Sequence, residues 1–452
     1  MRIALIQPGL GFGGAKRQRA LACLRPTALA VLAGATPPDV EVRAFDDRFE
    51  EPPYDQEWDL VALSVGTFQA RRSYEIAARF RRQGVPVVLG GFHPSQCPDE
   101  AGLVADAVAI GEAEVLWPQI VEDARKGRLQ ATYRQDARAD LATTHPDVSI
   151  FSDKKYAPVN VIQFGRGCQH NCDFCSVRAF YPEGLRHRPV REVVEELERS
   201  KERWTFFADD NLCGHPRRTK ELLREIAPLK KRWTAQTSLD FVDDPELLDL
   251  MVKAGCQTVI VGLESLNPGT IDQMKKGWAD AGEYARKLEI VRDRGIMVYA
   301  TFVFGYDADD PGIFERTYQF AMEQKFFLLN FNHLNPFPGT PLYHRLQAEK
   351  RLLLDRWWIH PDYRFGNAVY EPRGMTTQEL TDGAFAIRSR VHGYPSMIRR
   401  FLDRRTNAAS LANALTFALV NIGSRQDILS KHGRPLGREE ELPDGLQGVC
   451  AR

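Results

Sequence analysis

Neither sign of charge prevails in this sequence: 60 Lys and Arg stand against 60 Asp and Glu, for a formal net charge of zero. A chain that grips a long polyanion ordinarily shows a basic surplus, so no nucleic-acid partner is expected. No apolar run reaches the eighteen or so residues that a membrane-spanning helix needs. The start, Met1-Arg2-Ile3-Ala4-Leu5-Ile6, soon passes into a Gly-rich turn and lacks the long apolar stretch and cleavage site of a signal peptide. A cytoplasmic location is expected. Cysteine is scarce too, with eight in 452 residues, too few for a disulfide scaffold. Cys23, Cys97, Cys213, Cys256 and Cys450 are scattered, whereas Cys168, Cys172 and Cys175 crowd into eight positions. In a reducing compartment such crowding asks for a metal.

What is present reads as ordinary globular protein, 43% hydrophobic and 27% charged, with room for two to four domains. Residues 1 to about 145 alternate strand and helix signals. Strands are expected at Arg2–Gln7, Val40–Phe45, Leu60–Ser64, Val85–Leu89 and Ala107–Ile110, with a helix over Ala70–Gln83. Units of this size argue for a doubly wound parallel sheet, whose ligands bind at the carboxyl ends of the strands. Those ends read Ser64-Val65-Gly66-Thr67, Gly90-Gly91-Phe92-His93 and Gly111-Glu112.

A polar connection, Gln135–Val148, precedes a second series. Its strands are expected at Asn160–Phe164, Thr205–Ala208, Trp233–Gln236, Thr258–Val261, Met297–Phe302 and Phe327–Asn332, with helices including Val190–Arg203 and Pro245–Ala254. Six β/α units over residues 150–375 suffice for an open partial barrel, with its site at the strand C-termini. Residues 376–452 read as helices and a polar tail. The expected fold class is therefore α/β: a Rossmann-like domain over 1–145, a partial (β/α)6 barrel, and a helical C-terminal region.

Directly after the first barrel strand stands Gly165-Arg166-Gly167-Cys168-Gln169-His170-Asn171-Cys172-Asp173-Phe174-Cys175. Thiolates are soft ligands suited to iron–sulfur clusters or zinc. Three sulfurs can hold three corners of a 4Fe–4S cube and leave one iron open for a small molecule. A structural zinc ion would need a fourth donor, for which His170 or His187 is available. Taken alone the run fits either; its place after the first strand of a six-unit barrel favours the cluster.

Cys-x3-Cys-x2-Cys, with an aromatic residue before the last cysteine, resembles the signature of the radical S-adenosylmethionine (SAM) enzymes. Gly90-Gly91-Phe92-His93-Pro94-Ser95 and Asn335-Pro336-Phe337-Pro338-Gly339-Thr340-Pro341-Leu342-Tyr343 resemble the subgroup with an N-terminal cobalamin-binding domain. The resemblance covers residues 1 to about 375. It implies three cofactors: a 4Fe–4S cluster on Cys168, Cys172 and Cys175, SAM on its open iron, and cobalamin. It further implies reductive cleavage of SAM to a 5′-deoxyadenosyl radical, with an electron donor such as flavodoxin or ferredoxin. Position by position, Asp209, Asp210 and Asn211 would meet the SAM methionine end, against helix capping by Asn211. Ser238 would contact ribose or carboxylate. Glu264, followed by Ser265, would contact ribose, against a local ion pair. The backbones of Phe174 and Gly305 would approach adenine, although Phe174 also fits plain core packing.

For cobalamin, the resemblance implies that Ser64, Gly66, Thr67, Gly90, Gly91, Gly111 and Glu112 face the nucleotide tail and corrin. One departure stands out. The Asp-x-His-x-x-Gly motif that supplies a histidine to cobalt in many cobalamin proteins is replaced by Asp46-Asp47-Arg48-Phe49-Glu50. His93 is the nearest candidate histidine, and its Gly-Gly-x-His-Pro setting reads as structural. The loop Gly9–Lys16 matches neither a P-loop nor the dinucleotide spacing, and reads as a flexible cover over the ligand edge.

The basic stretch over 376–405 and the apolar stretch Ser410–Gly423 could rest on an anionic membrane; a helix that closes the barrel with Arg on its wet face is the favoured expectation. Phe, Tyr and Leu at the barrel strand ends hint at a hydrophobic small-molecule substrate. The activity expected is C-methylation. Alternatives are radical cyclisation, ring contraction or oxidation, and, less favoured, RNA methylthiotransfer or a non-catalytic metal-binding role. Methylthiotransfer would want three cysteines in the first domain, where only Cys23 and Cys97 occur.

Overall fold

The computed structural model describes residues 1–12, 22–438, 442–443 and 445–447. The glycine-rich loop from Gly13 onward and Cys450 lie outside the described residues. The first sheet contains β1 (Arg2–Gln7), β2 (Glu41–Asp46), β3 (Leu60–Ser64), β4 (Val87–Gly90), β5 (Ala107–Ile110) and β6 (Thr132–Arg134). All pairings are parallel, in the order β2-β1-β3-β4-β5-β6. Parallel strands buried on both faces need apolar side chains on both, and these have them. Ile3, Leu5, Leu60, Ala62 and Val88 enter the core beneath helices Thr27–Gly34 and Ala113–Arg125; Ala4, Ile6, Val61, Leu63 and Leu89 enter the one beneath Ala70–Arg82. The sixth strand has no hydrophobic run to announce it, since only Tyr133 of its three residues is buried.

The second sheet runs β7 (Val159–Ile162), β10 (Trp204–Phe207), β11 (Arg232–Thr237), β12 (Cys256–Glu264), β13 (Met297–Phe304) and β14 (Leu328–His333) in spatial sequence. Every pair is parallel and no ladder joins β14 back to β7, so the barrel is open. The expected strand Asn160–Phe164 is cut short. After Ile162 the Asp209 carboxylate accepts the amides of Phe164 (2.8 Å) and Gly165 (2.6 Å), drawing the chain off the ladder. The chain then forms a two-stranded ribbon, β8 (Gly165–Arg166) antiparallel to β9 (Arg186–His187).

Strand alternation decides what lines the barrel. Phe207, Phe302, Phe304 and Phe331 turn outward into the core shared with the helix layer. The alternate row stays half-exposed or exposed and carries Thr234, Gln236, Ile260, Tyr299, Thr301, Val303, Asn330 and Asn332. The strand-end phenylalanines that suggested a hydrophobic substrate are therefore core residues, and the inner wall is mixed.

Residues 352–370 leave the barrel and return to the first sheet. Trp357, Trp358, Ile359, Tyr363 and Val369 join the core beneath Ala70–Arg82, and Trp358 donates through Nε1 to Glu100 at 2.8 Å. Helices Thr377–Val391, Tyr394–Phe401 and Leu411–Lys431 follow, the first opened by a capping box of Thr376 and Glu379, and Leu436 and Leu446 beyond them return to the same core of the first sheet.

Candidate active site

The β8/β9 ribbon closes the base of the cysteine loop. Its root is held from β10: Asp209 takes the two amides described above, and Asp210 accepts the Gly167 amide at 2.8 Å. Burial pushes the Asp209 carboxyl up to about 7 and that of Asp210 up to about 6. Asp209 is thus occupied in shaping the loop rather than facing an open cofactor site. Gly167 has a φ of +84°, and a Cβ there would sit 2.3 Å from the Gly184 carbonyl oxygen, so only glycine fits this turn.

Cys168, Cys172 and Cys175 are half-buried free thiols on this loop. Burial pushes all three up, Cys172 to about 12 against the pull of Lys276. Both histidines considered as a fourth zinc donor have other ring partners. His170 stacks on Trp278 (centroids 4.7 Å apart), with Nε2 3.3 Å from Ser238 Oγ. His187 lies against Phe164 and His215. With both rings engaged by protein partners, the three thiols suit three corners of a 4Fe–4S cube better than a closed four-donor zinc shell.

Around the loop, Asn211 and Ser238 come together beside Cys168. Asn211 Nδ2 donates to Ser238 Oγ at 3.0 Å and lies 3.9 Å from Cys168 Sγ, while its Oδ1 accepts from Thr237 and from the Ser238 amide. It makes no helix-capping bond. Glu264 stands at a register shift in β12 with φ +63°, an unusual conformation for a side chain of this size. Its carboxylate accepts from Lys276 Nζ at 2.9 Å, and that ammonium also bonds the Gly262 carbonyl and sits 4.7 Å from the Trp278 ring centroid. The local ion pair is present. Lys276 and Trp278 lie in a loop between elements, with no periodicity to mark them, and sequence reasoning missed both. Ser265 Oγ accepts the Asn267 amide, a local turn contact.

Phe174 packs partly buried against the barrel core, edge-on to Tyr306. Gly305 departs from expectation. Its amide donates to Asp309 and its carbonyl accepts from Tyr370 Oη at 2.6 Å. Both backbone groups therefore already have protein partners. Asp173, between two of the cysteines, accepts from Tyr306 Oη at 2.6 Å, tying the loop to the end of β13.

Between the first sheet and the barrel lies a cavity of about 520 Å³. Ser64, Gly66, Thr67, Gly90, Gly91, Gly111 and Glu112 line it from the sheet edge; Arg166, Ser176, Phe180, Tyr181, Asp210 and Phe337 line it from the other side. It continues along Val31, Leu32, Trp117 and Ile120, between the sheet and its helices. Not every glycine here is explained by a ligand. Gly91 and Gly111 have φ of +104° and +109°, and a Cβ on Gly111 would strike Gln135. The Glu112 carboxylate is committed to protein: it accepts from Arg166 at 3.0 Å, Arg186 at 2.6 Å and the Ala139 amide. Burial raises this carboxyl, but Arg186 and Arg166 outweigh it and hold Glu112 below the usual range. Glu112 therefore ties the first sheet to the ribbon beneath the cysteine loop.

His93 is fully buried, with Nε2 3.0 Å from Tyr74 Oη and 3.2 Å from Glu100, and does not line the cavity. In the Asp46–Glu50 segment the acids serve internal pairs: Asp46 with Arg48 and Tyr156, Asp47 with Arg72 and Arg438. The apolar depth and the polar, glycine-rich mouth have the lining chemistry to hold part of a corrinoid and its nucleotide tail, and among the described residues no histidine lines the slot.

Residues 162–321 match the model of the Radical SAM superfamily. The chain is 29% identical over 369 residues to bacteriochlorophyllide d C-12(1)-methyltransferase of Chlorobaculum tepidum, covering 79% of this chain and 80% of that one. It is 30% identical over 350 residues to bacteriochlorophyllide d C-8(2)-methyltransferase of the same organism, covering 73% and 78%. Among solved structures, the radical SAM methyltransferase TsrM of Kitasatospora setae, with cobalamin and a [4Fe-4S] cluster bound, superposes with a TM-score of 0.61 at 19% identity, covering 77% of this chain and 75% of that one. The chain belongs to the radical SAM superfamily, in the cobalamin-type branch whose barrel follows a Rossmann-like domain.

Proposed function

We propose that this protein is a cobalamin-dependent radical SAM C-methyltransferase acting on an amphipathic small molecule with a large ring system. One observation carries the reading: the cavity along the first sheet's carboxyl edge is also lined by Ser176, next to Cys175, and by Arg166 and Asp210, which frame the cysteine loop. A methyl carrier in that slot and a cluster on that loop would share one chamber. When bound, the cluster with SAM supplies one-electron cleavage of a carbon–sulfur bond, and cobalamin supplies the methyl group to be transferred.

The chain's own part is to hold and to shield. Cys168, Cys172 and Cys175 hold the cluster. Asn211 and Ser238, which lie beside Cys168, would meet the polar amino-acid end of SAM. The Glu264–Lys276 pair and Trp278 offer a ribose partner and a ring face on the same side. Asp209 and Asp210 set the loop's shape. Substrate would enter the half-exposed barrel wall, where Ile260, Tyr299 and Val303 alternate with Gln236, Asn330 and Asn332. Such a mixture suits a ring with polar substituents, the class named in the bacteriochlorophyllide relatives. Reduction requires an external one-electron donor of flavodoxin or ferredoxin type.

The test is anaerobic turnover of the reconstituted holoprotein with SAM, a reductant and a bacteriochlorophyllide. The expected products are 5′-deoxyadenosine, S-adenosylhomocysteine and substrate heavier by one methylene unit. Cys172→Ala is expected to abolish all three. Substrate altered without added mass would overturn methyl transfer, and a single zinc ion with four protein donors would overturn the radical reading.

A further inference from the structure

We propose that the C-terminal helices form a docking face by which the protein binds the surface of an anionic lipid bilayer. Among the described residues thirteen large hydrophobic side chains are exposed, and eight of them fall between Tyr394 and Leu429. Single exposed leucines are ordinary; a concentration of this kind marks a contact surface. The 21-residue helix Leu411–Lys431 is about 31 Å long at 1.5 Å per residue. It packs on the barrel through Phe417, whose ring meets Phe327 and Phe401, and through Asn421, which bonds the Phe327 carbonyl and Arg400. Its far side carries Leu411, Leu415, Leu419, Ile422 and Leu429, 43–77% exposed. Their spacing of 4, 4, 3 and 7 residues keeps them on one line at 3.6 residues per turn. The wet face of this helix is thus leucine, not arginine.

The neighbouring helix Tyr394–Phe401 and its C-terminal cap add Tyr394, Ile398 and Leu402, 61–64% exposed and also four residues apart. The Arg425 guanidinium lies 5.3 Å from the Tyr394 ring centroid and joins the two lines into one surface. Charge selects the occupant. The chain as a whole is balanced, yet over residues 394–431 Arg399, Arg404 and Arg425 reach solvent without a carboxylate partner among the described residues, whereas Arg405 is paired with Asp293 and Lys431 with Asp427. Leucines that enter the acyl boundary, rimmed by arginines at headgroup level, suit anionic lipid, whereas a second copy of the chain would gain nothing from the cation excess. No described helix is long and apolar enough to cross a membrane, so the contact is peripheral.

The inference is independent of the proposed chemistry and is tested without it. The full chain, with its cluster reconstituted, is floated with vesicles of phosphatidylcholine and with vesicles containing phosphatidylglycerol, at low and high salt. Expected are apparent affinity at least about tenfold higher for the phosphatidylglycerol vesicles, erosion by salt, and loss of flotation in Leu415→Glu/Leu419→Glu with melting temperature and iron content unchanged. Arg399→Glu/Arg404→Glu is expected to abolish the lipid preference alone. Absence of wild-type flotation, or equal flotation of the leucine variant, overturns the proposal. So does a concentration-dependent dimer, lost in the leucine variant, without vesicle binding; it would make the face a protein–protein contact.

Discussion

Asp209 and His392 show how buried titratable groups tune this molecule one side chain at a time. Asp209 accepts two backbone amides in the bend after β7. Asp209→Asn turns one acceptor into a donor facing an amide, and is expected to cost about 1–3 kcal/mol. The checks are thermal melting and iron bound after reconstitution, both of which should fall. His392 is 1% exposed and bonds the Leu329 carbonyl through Nε2; burial lowers it to about 4. The unfolded chain takes up a proton near 6.5 that the native state refuses. Stability is therefore full above that value and is lost as the pH falls toward 4. Between pH 7 and 5 this one group accounts for about 2 kcal/mol. His392→Gln should flatten the pH dependence of melting across that window by that amount, whatever other groups do.

At the scale of elements, the contacts that matter join strands to loops. The Glu112 carboxylate follows β5, and its partners Arg166 and Arg186 are on opposite arms of the β8/β9 ribbon. Glu112→Gln leaves Arg186 without its carboxylate, although Arg166 keeps Glu114. The expected loss is about 1–3 kcal/mol, together with faster proteolysis of the 135–158 connection while the cysteine triad stays intact. Unchanged melting and proteolysis would show that the ribbon is held by its backbone alone. Much of the strand pattern could be read beforehand: β1, β3 and β5 begin and end where the hydrophobic runs do. The break between β7 and β8 could not, because its cause is a carboxylate 45 residues further on.

For the whole molecule, the segment 352–370 decides how two sheets become one body. Trp357 and Trp358 are contributed by a chain that has just left the barrel, yet they fill the core of the first domain, where Trp358 also bonds Glu100. Trp358→Ala should cost about 3–5 kcal/mol and, more tellingly, split one calorimetric transition into two as the first domain melts ahead of the barrel. A single transition merely shifted downward would show that the domains are coupled elsewhere. The shared cavity depends on the same arrangement, for its walls come from both domains.

By itself the sequence determined what local pattern can carry: the positions of most strands in two α/β units, the cysteine triad with its spacing, and the polar and glycine-rich strand ends. Periodicity and short motifs are properties of neighbours in the chain, and neighbours are enough to specify them. Which way a side chain faces and who meets it are not. That the strand-end phenylalanines go outward, that Gly305 is sealed by Tyr370, that Glu112 binds arginine, and that a lysine and a tryptophan from an unmarked loop reach Glu264 and His170 were decided only in three dimensions. Each rests on contacts between residues distant in sequence, and their energies come from burial and charge pairing that exist only once the sheets have closed on one another.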